Sequence, residues 1–146
     1  MIGQYIEKIR SNKLEHECYF DKLQKYIQEN FPQYDIRLED QCDTLFISIN
    51  NEVEWLSRIQ ITTEYNGRIA EKIRIKGLHT KDAYRKKGYA TALLKIAVYY
   101  AKDVRKIHTI VGHPSAGGGA NALMQEELEK FYQHHVEEQG LKIVFE

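Results

Sequence analysis

Apolar residues recur at three- and four-residue steps through the first thirty positions: Ile2, Ile6 and Ile9, then Leu14, Cys18, Tyr19, Leu23, Tyr26 and Ile27. That spacing places them on one face of a helix. Ser11-Asn12 offers a cap for a second helix, and Pro32 closes the segment. Residues 1–31 are therefore expected to form an N-terminal helical segment. The period then shortens to two. "DTLFISIN" (43–50) alternates apolar with polar and predicts a strand. "VEWLSRIQITTEY" (53–65) predicts another after the turn-like Asn50-Asn51. Asn66-Gly67 is a strong hairpin signal, and "RIAEKIRIKGL" (68–78) is its partner strand.

From Gly88 the period lengthens again. Ala90, Leu93, Leu94, Ala97, Val98 and Ala101 mark one helical face. "KIHTIVGH" (106–113) reads as a short strand, and "PSAGGGAN" (114–121) as a loop in which Ser115 or Asn121 caps the next helix. Ala120, Met124, Leu128, Phe131 and His135 line that helix, Gly140 ends it, and "LKIVF" (141–145) is a last strand. The predicted order is α-β-β-β-α-β-α-β. Strands first and βαβ units later predict an α+β (mixed α/β) fold, with helices packed on a mixed sheet. No linker or repeat divides the 146 residues, so 1–146 is expected to be a single domain.

Composition changes this picture little. Lys and Arg number 21 and Asp and Glu number 21, which excludes the basic excess of a dedicated nucleic-acid binder. Hydrophobic residues make up 42% of the chain, enough to exclude disorder. Cys18 and Cys42 are far apart with no CxxC spacing, which suits a reduced cytoplasmic protein. No apolar stretch has the length of a signal sequence or a membrane span, so a cytoplasmic location without membrane partners is expected.

One charge pattern does change the picture. "YRKKGYATALL" puts Arg85, Lys86 and Lys87 at the start of a helix, the end that the macrodipole already makes positive. An anionic ligand would resolve the misplacement. Unpaired N–H groups at a helix start can hold a pyrophosphate, and Gly88 lets the backbone approach it closely. Ala90 is small enough to pack beneath such a ligand, and Thr91 adds a hydroxyl in the first turn.

Arg85-x-x-Gly88-x-Ala90, between a strand and a helix, resembles the acetyl-CoA signature of the GNAT acetyltransferases. The motif lies within residues 78–94, and the family's order of elements matches residues 43–146. The resemblance implies a central mixed, mostly antiparallel sheet with helices on both faces. It also implies acetyl-CoA as co-substrate and an amine acceptor on a small molecule or protein. The implied cofactor-binding residues are Leu78, His79 and Thr80 on the strand end, where the pantetheine pairs with the backbone, and Arg85, Lys86, Lys87, Gly88, Tyr89, Ala90 and Thr91 on the loop and helix start. Tyr132, in the pair Phe131-Tyr132, matches the family's proton donor to the CoA sulfur. Relatives often carry Asn and Ala upstream of that pair; here Gln125 and Leu128 stand there. A non-catalytic acyl-CoA-binding module of the same fold is the alternative reading.

The general base stays open among Glu54, Glu64, Glu71, His79, His113 and ordered water. His108 and His113 face opposite sides of a strand, and adjacent His134 and His135 are expected to diverge on a helix, so no metal is expected. The Gly-rich loop 115–121 lacks the Lys-Ser/Thr ending of a nucleotide-binding loop. The N-terminal helices are expected to be scaffold or an oligomer surface, which leaves a homodimer open.

Overall fold

The computed structural model describes residues 20–112 and 125–146. A helix, α1, is described over residues 20–30. It is followed by β1 (Asp35–Gln41), β2 (Thr44–Asn50), β3 (Trp55–Asn66), β4 (Ile69–Thr80), a short 3-10 turn (Asp82–Tyr84) and α2 (Tyr89–Tyr99). A π turn (Tyr100–Val104), β5 (Thr109–Gly112), α3 (Gln125–Glu137) and β6 (Lys142–Phe145) complete the order. The strands form one sheet in the order β1-β2-β3-β4-β5-β6. Neighbours from β1 to β4 pair antiparallel, while β4–β5 and β5–β6 pair parallel. Tight turns suffice between antiparallel strands, whereas the parallel steps need crossovers, here α2 and α3. This is the mixed, mostly antiparallel sheet of an α+β fold that the sequence predicts.

The alternation read in the sequence is the burial pattern of the strands. Leu45, Ile47 and Ile49 of β2, Ile59 and Ile61 of β3, and Ile73 and Ile75 of β4 are all buried. Leu93, Leu94, Ile96 and Ala97 of α2 are fully enclosed against them. Leu23 and Ile27 of α1 and Tyr132 and Val136 of α3 join the same core cluster. Each full burial of a Leu or Ile contributes about 1.5–3 kcal/mol, so this cluster dominates the stability of the fold. A stacked pair of rings, Tyr26 on Tyr99 at 3.9 Å, ties α1 to α2.

Three features differ from the sequence pattern. Strand β1 is an addition: "DIRLEDQ" alternates, but Asp35, Arg37 and Glu39 are exposed and only Ile36 and Leu38 pack on the core. The hairpin after β3 turns on Gly67 and Arg68, because Asn66 pairs with Ile69. Finally, β4 carries a bulge. Its register against β3 jumps from Gln60↔Gly77 to Ile61↔Ile75, which leaves Lys76 as the extra residue. Such a bulge bends its strand and increases the local twist. Residues 1–19, which include most of the expected N-terminal segment, lie outside the described residues.

Candidate functional site

The bulge at Lys76 marks the place where β4 and β5 part. They pair only at Ile73↔Ile110 and Arg74↔Val111. Beyond this, β4 continues to Thr80, while β5 is described as far as Gly112. On its other side β4 stays bonded to β3, through Ile59↔Leu78, Arg58↔His79 and Ser57↔Thr80. Side chains reinforce that side: Ser57, fully buried, shares a 2.7 Å hydrogen bond with Thr80 Oγ1 and donates to the His79 carbonyl at 3.3 Å. The opposite edge of residues 77–80 has no strand partner among the described residues. An unpaired edge of this kind accepts an extended ligand as an added strand. Leu78, His79 and Thr80 lie on this edge.

The loop leaving Thr80 delivers the chain to α2 through two left-handed residues. Lys86 has φ 64° and Gly88 φ 82°. Glycine adopts this conformation freely, while Lys86 carries a cost of about 1–2 kcal/mol. Gly88 caps α2 without a side-chain bond, and the first main-chain bond of the turn runs from the Ala92 N–H to the Gly88 carbonyl at 3.0 Å. The N–H groups just before Ala92 have no main-chain acceptor among the described residues, as expected of a helix start. No acidic side chain occupies the first turn. A Cβ placed on Gly88 would meet nothing within 4 Å, so the space above this turn is open.

The three cations of the loop divide their work. Arg85 faces its own loop: its guanidinium lies 3.1 Å from Asp82 and Nε donates to the Thr80 carbonyl at 3.3 Å. It clamps the strand end to the 3-10 turn. Lys86 and Lys87 are exposed, and Lys87 Nζ lies 5.7 Å from the Tyr84 ring centroid. Tyr89 packs edge-on against Tyr34 at 5.4 Å, and Ala90 and Thr91 are half-buried in the first turn.

Tyr132 is a core residue in this structure, only 2% exposed. Its ring lies 5.9 Å from Phe131 and 6.4 Å from Phe145. The Phe145 ring in turn covers Gly112, where an added Cβ would come within 3.3 Å of it. Tyr132 thus stands one ring away from Gly112, the last described residue of β5. Burial pushes its phenol up to about 12.

The sequence model of the acetyltransferase (GNAT) family matches residues 10–125. The chain belongs to this family. Two solved structures are similar to it. One is the aminoglycoside acetyltransferase HMB0005 from an uncultured soil metagenomic sample, at 18% identity and TM-score 0.46, covering 65% of this chain and 59% of that one. The other is Arabidopsis thaliana NAA60 in complex with a bisubstrate analogue, at 18% identity and TM-score 0.40, covering 62% of this chain and 65% of that one. The match thus spans less than two thirds of either chain. No curated protein matches significantly.

Within this GNAT chain the candidate bases separate by position. Glu64 on β3 pairs with Lys72 in the ladder and is bound by Arg74 at 3.0 Å, so it and Glu71 on β4 lie at the hairpin end of the two strands, remote from the loop. Glu54 and His79 lie at the loop end. Glu54 is held by Lys81 at 2.9 Å, and His79 packs edge-on against Trp55 at 5.5 Å. Trp55 also carries Arg58 at 4.2 Å and Lys81 at 4.5 Å from its ring centroid. This brace was not legible in the sequence, because its members come from two strands and a loop. His113 and the Gly-rich loop 115–121 lie outside the described residues, as do both expected caps, Ser115 and Asn121.

Proposed function

We propose that this chain is an acetyl-CoA-dependent N-acetyltransferase, which moves an acetyl group from the thioester to a primary amine of a small molecule or protein. The observation that carries the reading is the continuity of the β4 edge at 77–80, unpaired among the described residues, with the start of α2. A ligand with an extended, amide-bearing arm and a pyrophosphate matches both at once. The arm pairs with the backbone of Leu78, His79 and Thr80. The pyrophosphate meets the amides of Gly88, Tyr89, Ala90 and Thr91, with Lys86 and Lys87 compensating its charge and Arg85 holding the loop in shape.

The neutral amine attacks the thioester carbon, the carbonyl oxygen gathers charge, the nitrogen gives up one proton to ordered water, and the C–S bond breaks to leave the amide and a thiolate that takes a proton. Tyr132 is the proposed donor. Its phenol at about 12 lies above a free thiol at about 8.5. That gap corresponds to about 5 kcal/mol against transfer to a finished thiolate. Donation by Tyr132 therefore requires that the occupied site close this gap, by stabilising the phenolate or by strengthening the hold of the sulfur on the proton. Among the described residues no helix is long and apolar enough to cross a membrane, and the cytoplasm is the proposed compartment.

Thermal unfolding with acetyl-CoA, CoA and ATP tests the cofactor. The expected result is stabilisation by the two CoA species alone, and no shift with acetyl-CoA refutes the site. Thiol release across a panel of primary amines then tests turnover. The burial of Tyr132 favours one second reading, a module that binds acyl-CoA without transferring it. Stabilisation by acetyl-CoA with no thiol release from any amine decides for that module.

A further inference from the structure

On a helix, adjacent side chains point about 100° apart, and this is why His134 and His135 are expected to diverge. Instead their ring centroids lie 5.0 Å apart. His134 Nε2 is 3.7 Å from Glu138 Oε2, one turn further on. One potential ligand atom from each of His134, His135 and Glu138 lies within 4.8 Å of the other two. We propose that the last turn of α3 binds a divalent transition-metal ion of the zinc type through these three side chains.

The distances decide whether such an ion fits. Zinc bonds of about 2.0–2.1 Å in a tetrahedron set ligand atoms about 3.3 Å apart. The His134–Glu138 pair needs to close by only a few tenths of an ångström. Across the 4.8 Å limit the required movement is about 1.5 Å, within reach of a side-chain rotation. His134 and Glu138 are 70% and 56% exposed, so nothing packed opposes that rotation.

The platform beneath them is stiff. The Glu138 N–H bonds to the His134 carbonyl at 3.2 Å, and Gly140, at φ 78°, lets the Leu141 N–H return to the Val136 carbonyl at 3.3 Å. His135 is braced edge-on against Phe131 at 4.8 Å, and its Nδ1 is buried with no hydrogen-bond partner among the described residues. A surface ion pair between His134 and Glu138 would account for two of these side chains but not for the third.

Glu138 supplies a negative charge, and the C-terminal end of the helix dipole adds about half a charge of the same sign. The donor set, two imidazoles and one carboxylate, suits zinc and leaves a fourth position for water.

Calorimetric titration of the tag-free full chain with zinc chloride near neutral pH tests the proposal. The expected result is one ion per chain with a micromolar dissociation constant. His134→Ala and Glu138→Gln, both at exposed positions, are each expected to weaken binding at least tenfold, while His79→Ala and His108→Ala leave it unchanged. Cobalt absorption in the visible should show the intense bands of a four-coordinate site in the parent and lose them in His134→Ala. Binding weaker than millimolar in the parent overturns the proposal. So does zinc affinity that is the same in the parent, His134→Ala and Glu138→Gln. Neither readout depends on acetyl-CoA.

Discussion

Replacing Tyr132 by Phe removes one oxygen from a ring that is only 2% exposed. Burial raises this phenol from 10.0 to about 12, so the folded chain holds the proton more tightly than the unfolded chain does. The folded value lies above the unfolded one. The associated stability is therefore complete below pH 10 and is lost as pH rises toward about 12. Two pH units at about 1.4 kcal/mol each set the full loss at about 3 kcal/mol. Tyr26 and Tyr100 are also raised, chiefly by burial, so the parent's total alkaline loss exceeds the share of Tyr132. The difference between parent and variant isolates that share. Urea unfolding followed by Trp55 fluorescence should show the two within about 1 kcal/mol near pH 8, since contacts with Phe131 and Phe145 survive. By about pH 11 the variant should lead by an additional 1 kcal/mol or more. Parallel stability curves from pH 8 to 11 would refute the burial argument. The same variant probes the chemistry: loss of a general acid lowers turnover by about 10²–10⁴ with acetyl-CoA affinity unchanged. Parent-like turnover would leave Tyr132 a core residue only.

Gly88→Glu is expected to fold with a loss of about 1 kcal/mol from the left-handed backbone and to lose the roughly 2.7 kcal/mol that a hundredfold excess of acetyl-CoA provides. Gly88→Ala carries the same backbone cost without the charge, so retention of parent affinity by Gly88→Glu in calorimetry would remove the ligand from this turn. Neutralising Lys86 and Lys87 together should weaken CoA binding and flatten its salt dependence, because exposed charges are screened over about 10 Å at 0.1 M salt; superimposable salt curves would leave only the amides as phosphate ligands. Arg74 bridges Glu64 at 3.0 Å and Glu146 at 2.7 Å, and its hydrogen bond holds the Glu146 carboxyl below its ordinary value. That contribution is present above about pH 4.5 and fades as pH falls through the folded value, so the stability gap between parent and Arg74→Met should narrow on acidification. A gap independent of pH in urea titrations would show that Arg74 acts by packing alone.

The sequence was most readable where burial repeats with a fixed period. The steps of two in β2, β3 and β4 are the steps of their buried isoleucines, and the face of α2 is the stripe read from Leu93 to Val98. Strand β1 escaped because an edge strand needs only two inward residues, Ile36 and Leu38, and its charges imitate a loop. The loop motif placed Arg85 before the helix start but did not reveal its work. Asp82, three residues earlier, captures the guanidinium, and that competition depends on a 3-10 turn that periodicity does not reveal. His134 and His135 were misjudged because spacing fixes where Cβ atoms point and leaves the remaining side-chain torsions free.

Strand β4 shows why the opening and the core coexist in one sheet. Its first half needs Ile73 and Ile75 inward, where both are buried. Its last residues must present Leu78 and Thr80 in register with Ile59 and Ser57 of β3, so that the Ser57–Thr80 hydrogen bond can form. In a regular strand, shifting register by one residue reverses the face of every later side chain. Lys76 supplies that one residue, and as a bulge it also turns the strand away from β5 just beyond the last pair at Arg74. An exposed lysine suits the position, since the extra residue has no place in the core. The signal in the sequence was Gly77 inside an otherwise alternating strand, a residue that packs nothing and often marks such a bend. The residue that bends β4 before 77–80 is thus the same one that keeps both halves of the strand in register with β3.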